Sequence, residues 1–172
     1  MKFLKIIPMI FVFLGFSPYM NLSYAESKNP NEYKVLSNTN KKLSISDVQD
    51  YLTKGDNLVK DGDFEKAKQT YDKARNLARQ LAGFYRDLND SFKGLDARIP
   101  IEMDKKGRKS IKIWAQSNGR LASLYKRKKQ AEVAVPLLVE TIRLMSPNSP
   151  EGKEAYENLL QLGFVDTAYK GF

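Results

Sequence analysis

The chain has 172 residues, with 29 lysines and arginines against 20 acids for a formal net charge of +9, and it contains neither histidine nor cysteine. Their absence removes the commonest general base, the thiol nucleophile and most transition-metal ligands, and leaves a fold in an oxidising compartment without disulfides. With no glycine-rich phosphate loop and no Gly-x-Ser-x-Gly either, the expectation is a protein that is not an enzyme and carries no cofactor.

Residues 1–25 read as a secretory signal. Lys2 and Lys5 form the positive start, Ile6 to Phe16 the apolar core, and Ser23-Tyr24-Ala25 a small-x-small cleavage site, so cleavage is expected after Ala25. An apolar run of about eleven residues is too short to span a bilayer of about 30 Å. Without cysteine there is no lipobox anchor, so the expected product is soluble and exported. The signal holds two lysines and no acid, which lowers the net charge to +7 over the remaining 147 residues. Residues 26–43 are rich in Asn, Ser and Lys with few apolar positions, and read as a flexible leader.

A helical domain is expected over 44–163. Ser46-Asp47-Val48-Gln49 fits a capping box. Val48, Tyr51, Leu52, Gly55, Leu58 and Val59 then recur at offsets of three and four, as one face of a helix. Asp61-Gly62-Asp63 breaks the pattern: Gly62 suits a positive φ and Asp63 can cap the next helix. Phe64, Ala67, Tyr71, Ala74, Leu77, Ala78 and Leu81 make a second stripe, continued by Phe84, Tyr85, Leu88 and Phe92. The period predicts a helix from Asp63 to about Lys93, with Gly83 as a bend and Gly94 as the stop.

Leu95 to Gly107 shows no helical period, and Pro100 disfavours helix at Ile99, so this stretch reads as an inserted loop whose Ile99, Ile101 and Met103 tuck under the helices. A third helix is predicted over Arg108–Arg127, with Trp114 as a core anchor and Asn118 on the apolar stripe, in need of a hydrogen-bond partner. A fourth spans about Ala131 to Met145 with Pro136 in its second turn. Ser149-Pro150-Glu151 opens a fifth, ended by Gly163, and 164–172 form a tail without pattern.

The order of large and small positions at Tyr51, Gly55, Leu58, Gly62, Phe64, Ala67, Tyr71 and Ala74 resembles the tetratricopeptide (TPR) repeat, a helix-turn-helix unit of about 34 residues. Lys54 and Arg79 depart from it, standing where the family has leucine and often proline. Leu121, Ala122, Tyr125, Ala134 and Leu138 resemble a second, weaker unit, with Gln130 and Thr141 as departures. The resemblance implies an all-α, antiparallel array of about five helices with one inserted loop, and a role in protein binding. The first helix of each TPR unit lines a concave groove. Carried over by position, the partner-binding residues are Gln49, Leu52, Asp56, Val59 and Lys60, then Gln116, Arg120, Ser123, Lys126 and Arg127. The lysine and asparagine clamp for a terminal carboxylate is missing, because Leu52 and Asp56 stand there. The whole is also similar to small exported proteins of cyanobacteria, which implies periplasm or thylakoid lumen.

No acid lies between Lys105 and Lys129. Lys105, Lys106, Arg108, Lys109 and Lys112 form a basic loop, while Arg120 and Lys126 to Lys129 lie along the rest of the third helix. This surface suits an acidic protein or peptide, an anionic membrane surface or a cell-wall polymer. The export signal speaks against nucleic acid. The expected function is an exported interaction module for a protein or peptide, in assembly or maintenance. The alternative is a peripheral binder of anionic lipid or wall polymer.

Overall fold

The computed structural model describes residues 43–171, and over them the fold is all helical. The signal segment and most of the leader lie outside the described residues. Among the described residues five helices occur in order: α1 (Ile45–Lys60), α2 (Phe64–Ser91), α3 (Arg98–Arg127), α4 (Ala131–Met145) and α5 (Pro150–Gln161). Each packs on the next through a short connection, and α3 also touches α1 and α5.

Local chemistry sets the helix starts. Ser44, not Ser46, caps α1: its Oγ accepts from Asp47 N at 3.2 Å and donates to the Asp47 carboxylate at 2.5 Å, so Asp47 stands at the third position expected of Gln49 and holds the cap hydroxyl. Asp63 caps α2 through Lys66 N, and Gly62, at φ +80°, makes the turn before it. Ser149 caps α5 with Pro150 in the first position, where the missing N–H leaves no bond unmade.

The inserted loop is overturned. Residues 98–107 belong to α3, which runs unbroken for 30 residues. Pro100 lies in its first turn, where backbone N–H groups have no intrahelical partner, so proline removes nothing. Asp96 accepts from Arg98 N at 3.0 Å, and Asn89 Nδ2 donates to the Pro100 carbonyl at 2.8 Å, fixing this end of α3 against α2. Met103 is buried and Ile99 half-buried, but Ile101 is 70% exposed, not tucked under the helices. Gly83 does not interrupt α2.

The core forms where the small positions let helices approach. Ala67, Ala74, Ala78 and Ala134 are fully buried, among Val48, Leu52, Tyr71, Leu121 and Leu138. Ser110, Ser117 and Thr141 are buried too, and each hydroxyl donates to the carbonyl four residues earlier, which satisfies the group inside its own helix. Trp114 is only partly buried; its ring packs against the core under the Arg79 guanidinium, 5.8 Å from the ring centre. Among the described residues no helix is long and apolar enough to cross a membrane.

Candidate interaction groove

Two polar clamps set the geometry around α3. On one side Arg120 Nε and Nη2 reach Asp56 Oδ1 and Oδ2 at 2.8 and 3.0 Å, a two-pronged pair across 64 residues of chain that ties α3 to α1. The Tyr71 hydroxyl donates to the same Asp56 Oδ1 at 2.5 Å, bringing in α2. Burial pushes the Asp56 carboxyl up, but hydrogen bonds from Arg120 and Tyr71 and the nearby charges of Arg120 and Lys60 outweigh it, and its pKa lies below the ordinary value. Burial, and then the bond to Asp56, push the Tyr71 phenol up.

On the other side Asn118, fully buried, has the partners that its place on the stripe demanded. Its Oδ1 accepts from Arg75 Nε at 2.7 Å and its Nδ2 donates to Glu140 Oε2 at 2.8 Å, while Arg75 Nη2 meets Glu140 at 2.6 Å. This triangle joins α2, α3 and α4. Burial raises the Glu140 carboxyl, yet Arg75 and Asn118 bring it below its usual range.

Between α1, α3 and α5 lies a cleft of about 310 Å³. Five of the ten expected partner-binding residues line it: Val59, Gln116, Arg120, Ser123 and Arg127. Its floor is α3, where Gly119 has open space above it. Glu151 and Glu154 supply the opposite wall. Sequence reasoning missed these two acids, although the start of α5 was legible, because nothing in the chain reports that α5 faces α3 across a gap. Gln116 Nε2 donates to Glu151 Oε1 at 3.3 Å and Lys112 Nζ lies 3.4 Å from the same oxygen. Burial raises the Glu151 carboxyl, but its own backbone N–H, Gln116 and Lys112 leave it lowered.

The other expected groove residues are placed differently. Leu52 is 5% exposed and belongs to the core, because its offset from Val48 and Gly55 turns it toward α2. Asp56 is engaged by Arg120 and Tyr71, so its role is internal. Lys126 donates to Asn158 Oδ1 and, at 3.0 Å, to Gln161 Oε1, which makes it a strut between α3 and α5. Gln49 and Lys60 are exposed near the two ends of α1 and do not line the cleft. Arg127 lies over the Phe64 ring, 5.8 Å from its centre.

The basic loop is a helical face. Lys106 pairs with Glu102, Arg108 with Asp104 and Lys112 with Glu151, all within 3.4 Å, and Lys128 pairs with Glu65. Lys105 and Lys109, one turn apart, are exposed and make no ion pair among the described residues. Half of the cations in this acid-free run, Lys106, Arg108, Lys112, Arg120 and Lys128, are thus offset in space by acids from other turns and helices. Among the described residues no cluster of acids is placed to hold a metal ion. Comparison of the chain with protein-family models, with curated proteins and with solved structures gave no match.

Proposed function

We propose that the chain is an exported, TPR-like interaction module whose α1–α3–α5 groove receives a protein or peptide segment, in the service of assembly or maintenance. The observation that carries the reading is the convergence of Val59, Gln116, Arg120, Ser123 and Arg127, from two separate sequence units, on one cleft. Arg120 and Glu151 are engaged by Asp56 and Lys112, while Arg127 and Glu154, which make no ion pair among the described residues, leave the groove one cation and one acid for a segment bearing both signs of charge. Gly119→Trp tests it directly, because the new ring enters open space above the floor and leaves the core alone. Pull-down from an extracytoplasmic extract is expected to recover a defined partner with the wild type and to lose it with this variant. Recovery of the same partner by both proteins would rule out the groove.

A second reading, peripheral binding of anionic lipid or wall polymer, draws on Lys105 and Lys109, exposed and without an ion pair among the described residues. Such a contact should be released as the Debye length shortens to about 3 Å near 1 M salt. Co-sedimentation with anionic vesicles or polymer that persists at that salt concentration would count against it.

A further inference from the structure

A second, larger cleft lies away from the groove, where α2 and α3 run on past the end of α4. Its volume is about 640 Å³, within the roughly 300–1,000 Å³ typical of small-molecule sites. The walls are apolar: Ala82 and Tyr85 from α2, Met103, Ile111 and Trp114 from α3, and Leu144 from the last turn of α4. Three arginines, Arg79, Arg86 and Arg108, stand along it, against one lining acid, Asp104, which Arg108 already pairs at 2.9 Å. Arg79 makes no ion pair among the described residues, and its guanidinium lies over the Trp114 ring. Arg86 meets its exposed neighbour Asp87 at 3.2 Å, and its charge also reaches the exposed Asp90, one turn on. Lys106, which pairs with Glu102, lies over the Tyr85 ring at 5.8 Å.

The glycines give an independent indication. Gly83 and Gly107 both line this cleft from the interiors of long helices, where glycine is less stable than alanine. Neither sits at a turn or has a positive φ. A Cβ on Gly83 would meet nothing within 4 Å, and one on Gly107 only an ordinary contact of 3.6 Å with Tyr85. Helix packing therefore does not require either glycine. Gly83 lines the cleft between Arg79 and Arg86, with open space where a side chain would stand.

We propose that this cleft binds a small organic anion, an apolar body lying against Trp114, Ile111 and Met103 with its carboxylate, sulfonate or phosphate held by Arg79 and Arg86. An apolar wall with Arg79 unpaired among the described residues and Arg86 held only by exposed acids, whose pairing is weak, favours such a ligand over either an uncharged apolar molecule or a bare inorganic anion.

The only tryptophan in the chain forms one wall, so its fluorescence reports occupancy. The probes are 8-anilinonaphthalene-1-sulfonate and N-phenyl-1-naphthylamine, which share an aromatic body and differ in the sulfonate. The anion is expected to quench Trp114 saturably with one site per chain, and to bind at least about tenfold more tightly than the neutral probe. Arg79→Gln with Arg86→Gln should remove most of that preference while leaving the neutral probe unchanged. Gly83→Leu should abolish binding of both without lowering the melting temperature. Displacement by decanoate would assign an acyl-chain ligand and displacement by 2-naphthoate an aromatic one. Absence of saturable binding, equal affinity for the two probes, or full binding by a folded Gly83→Leu protein would overturn the proposal.

Discussion

The Tyr71 ring occupies the place where a side chain on Gly55 would be. A Cβ built on Gly55 falls 2.6 Å from Cδ1 and 2.9 Å from Cζ of that ring, and closer still to Cε1. Glycine at 55 thus lets α1 lie against an aromatic of α2, whose hydroxyl reaches back to the neighbouring Asp56 at 2.5 Å. Gly55→Ala gains helix propensity of up to about 1 kcal/mol, but it forces the ring out of a filled space, a change that typically costs about 1–3 kcal/mol. Net destabilisation is expected in urea unfolding, together with weakening of the Tyr71 to Asp56 bond.

Gly83→Ala should act in the opposite direction. With open space around its Cβ and an ordinary helical backbone, the substitution is expected to stabilise the protein by about 0.5–1 kcal/mol. The two alanine variants measured side by side separate a glycine that the packing needs from one that it does not.

Asn118→Ala takes away the bridge between Arg75 and Glu140 inside the α2, α3 and α4 junction. Hydrogen bonds to charged groups contribute about 1.5–3 kcal/mol, so a loss of that order is expected in chemical denaturation. Asn118→Asp should be worse above about pH 5, because it sets a second carboxylate beside Glu140.

The dependence on pH comes from the lowered carboxyls. Asp56, Glu140 and Glu151 ionise more readily in the fold than at their ordinary values of 3.8, 4.5 and 4.5. As acid is added, the unfolded chain takes up protons on these groups first, so their contribution is complete above about pH 5 and is lost as pH falls through the lowered folded values. Tyr71 has the opposite sign: its raised folded value makes stability fall as pH rises past about 10, where the unfolded phenol ionises first. Melting temperature measured from about pH 3 to about pH 11 should decline at both ends. Glu140→Gln is expected to flatten the acid limb and Tyr71→Phe the alkaline one.

Much of this architecture is legible along the chain because its cues are local. Asp61-Gly62-Asp63 and Ser149-Pro150 name their own turns and caps, and the 3.6-residue stripe places Ala67, Ala74 and Asn118 inside. The start of α3 is harder to read, because Pro100 looks like a breaker when the helix is assumed to begin after it. The spacing of Ile99, Met103, Ser110 and Ile113 carries the period back to Arg98, and proline in a first turn is harmless. Long-range pairings left no such trace. Asp56 and Arg120 look like any solvated charges, and only their meeting across 64 residues makes one an anchor for the other. The same holds for Lys126, whose amide partners on α5 turn an expected contact residue into a strut.

Under the proposed function the α1–α3–α5 groove, and not another face, receives a protein partner. A photo-crosslinking amino acid placed at Ser123, exposed beside the groove floor, and in a separate protein at Lys73, exposed on α2, measures this directly. One defined protein adduct is predicted from position 123 in an extracytoplasmic extract, lost when Gly119→Trp is added, and none from position 73. Equal adducts from both positions, or an adduct at 123 that survives Gly119→Trp, would contradict the assignment of the groove.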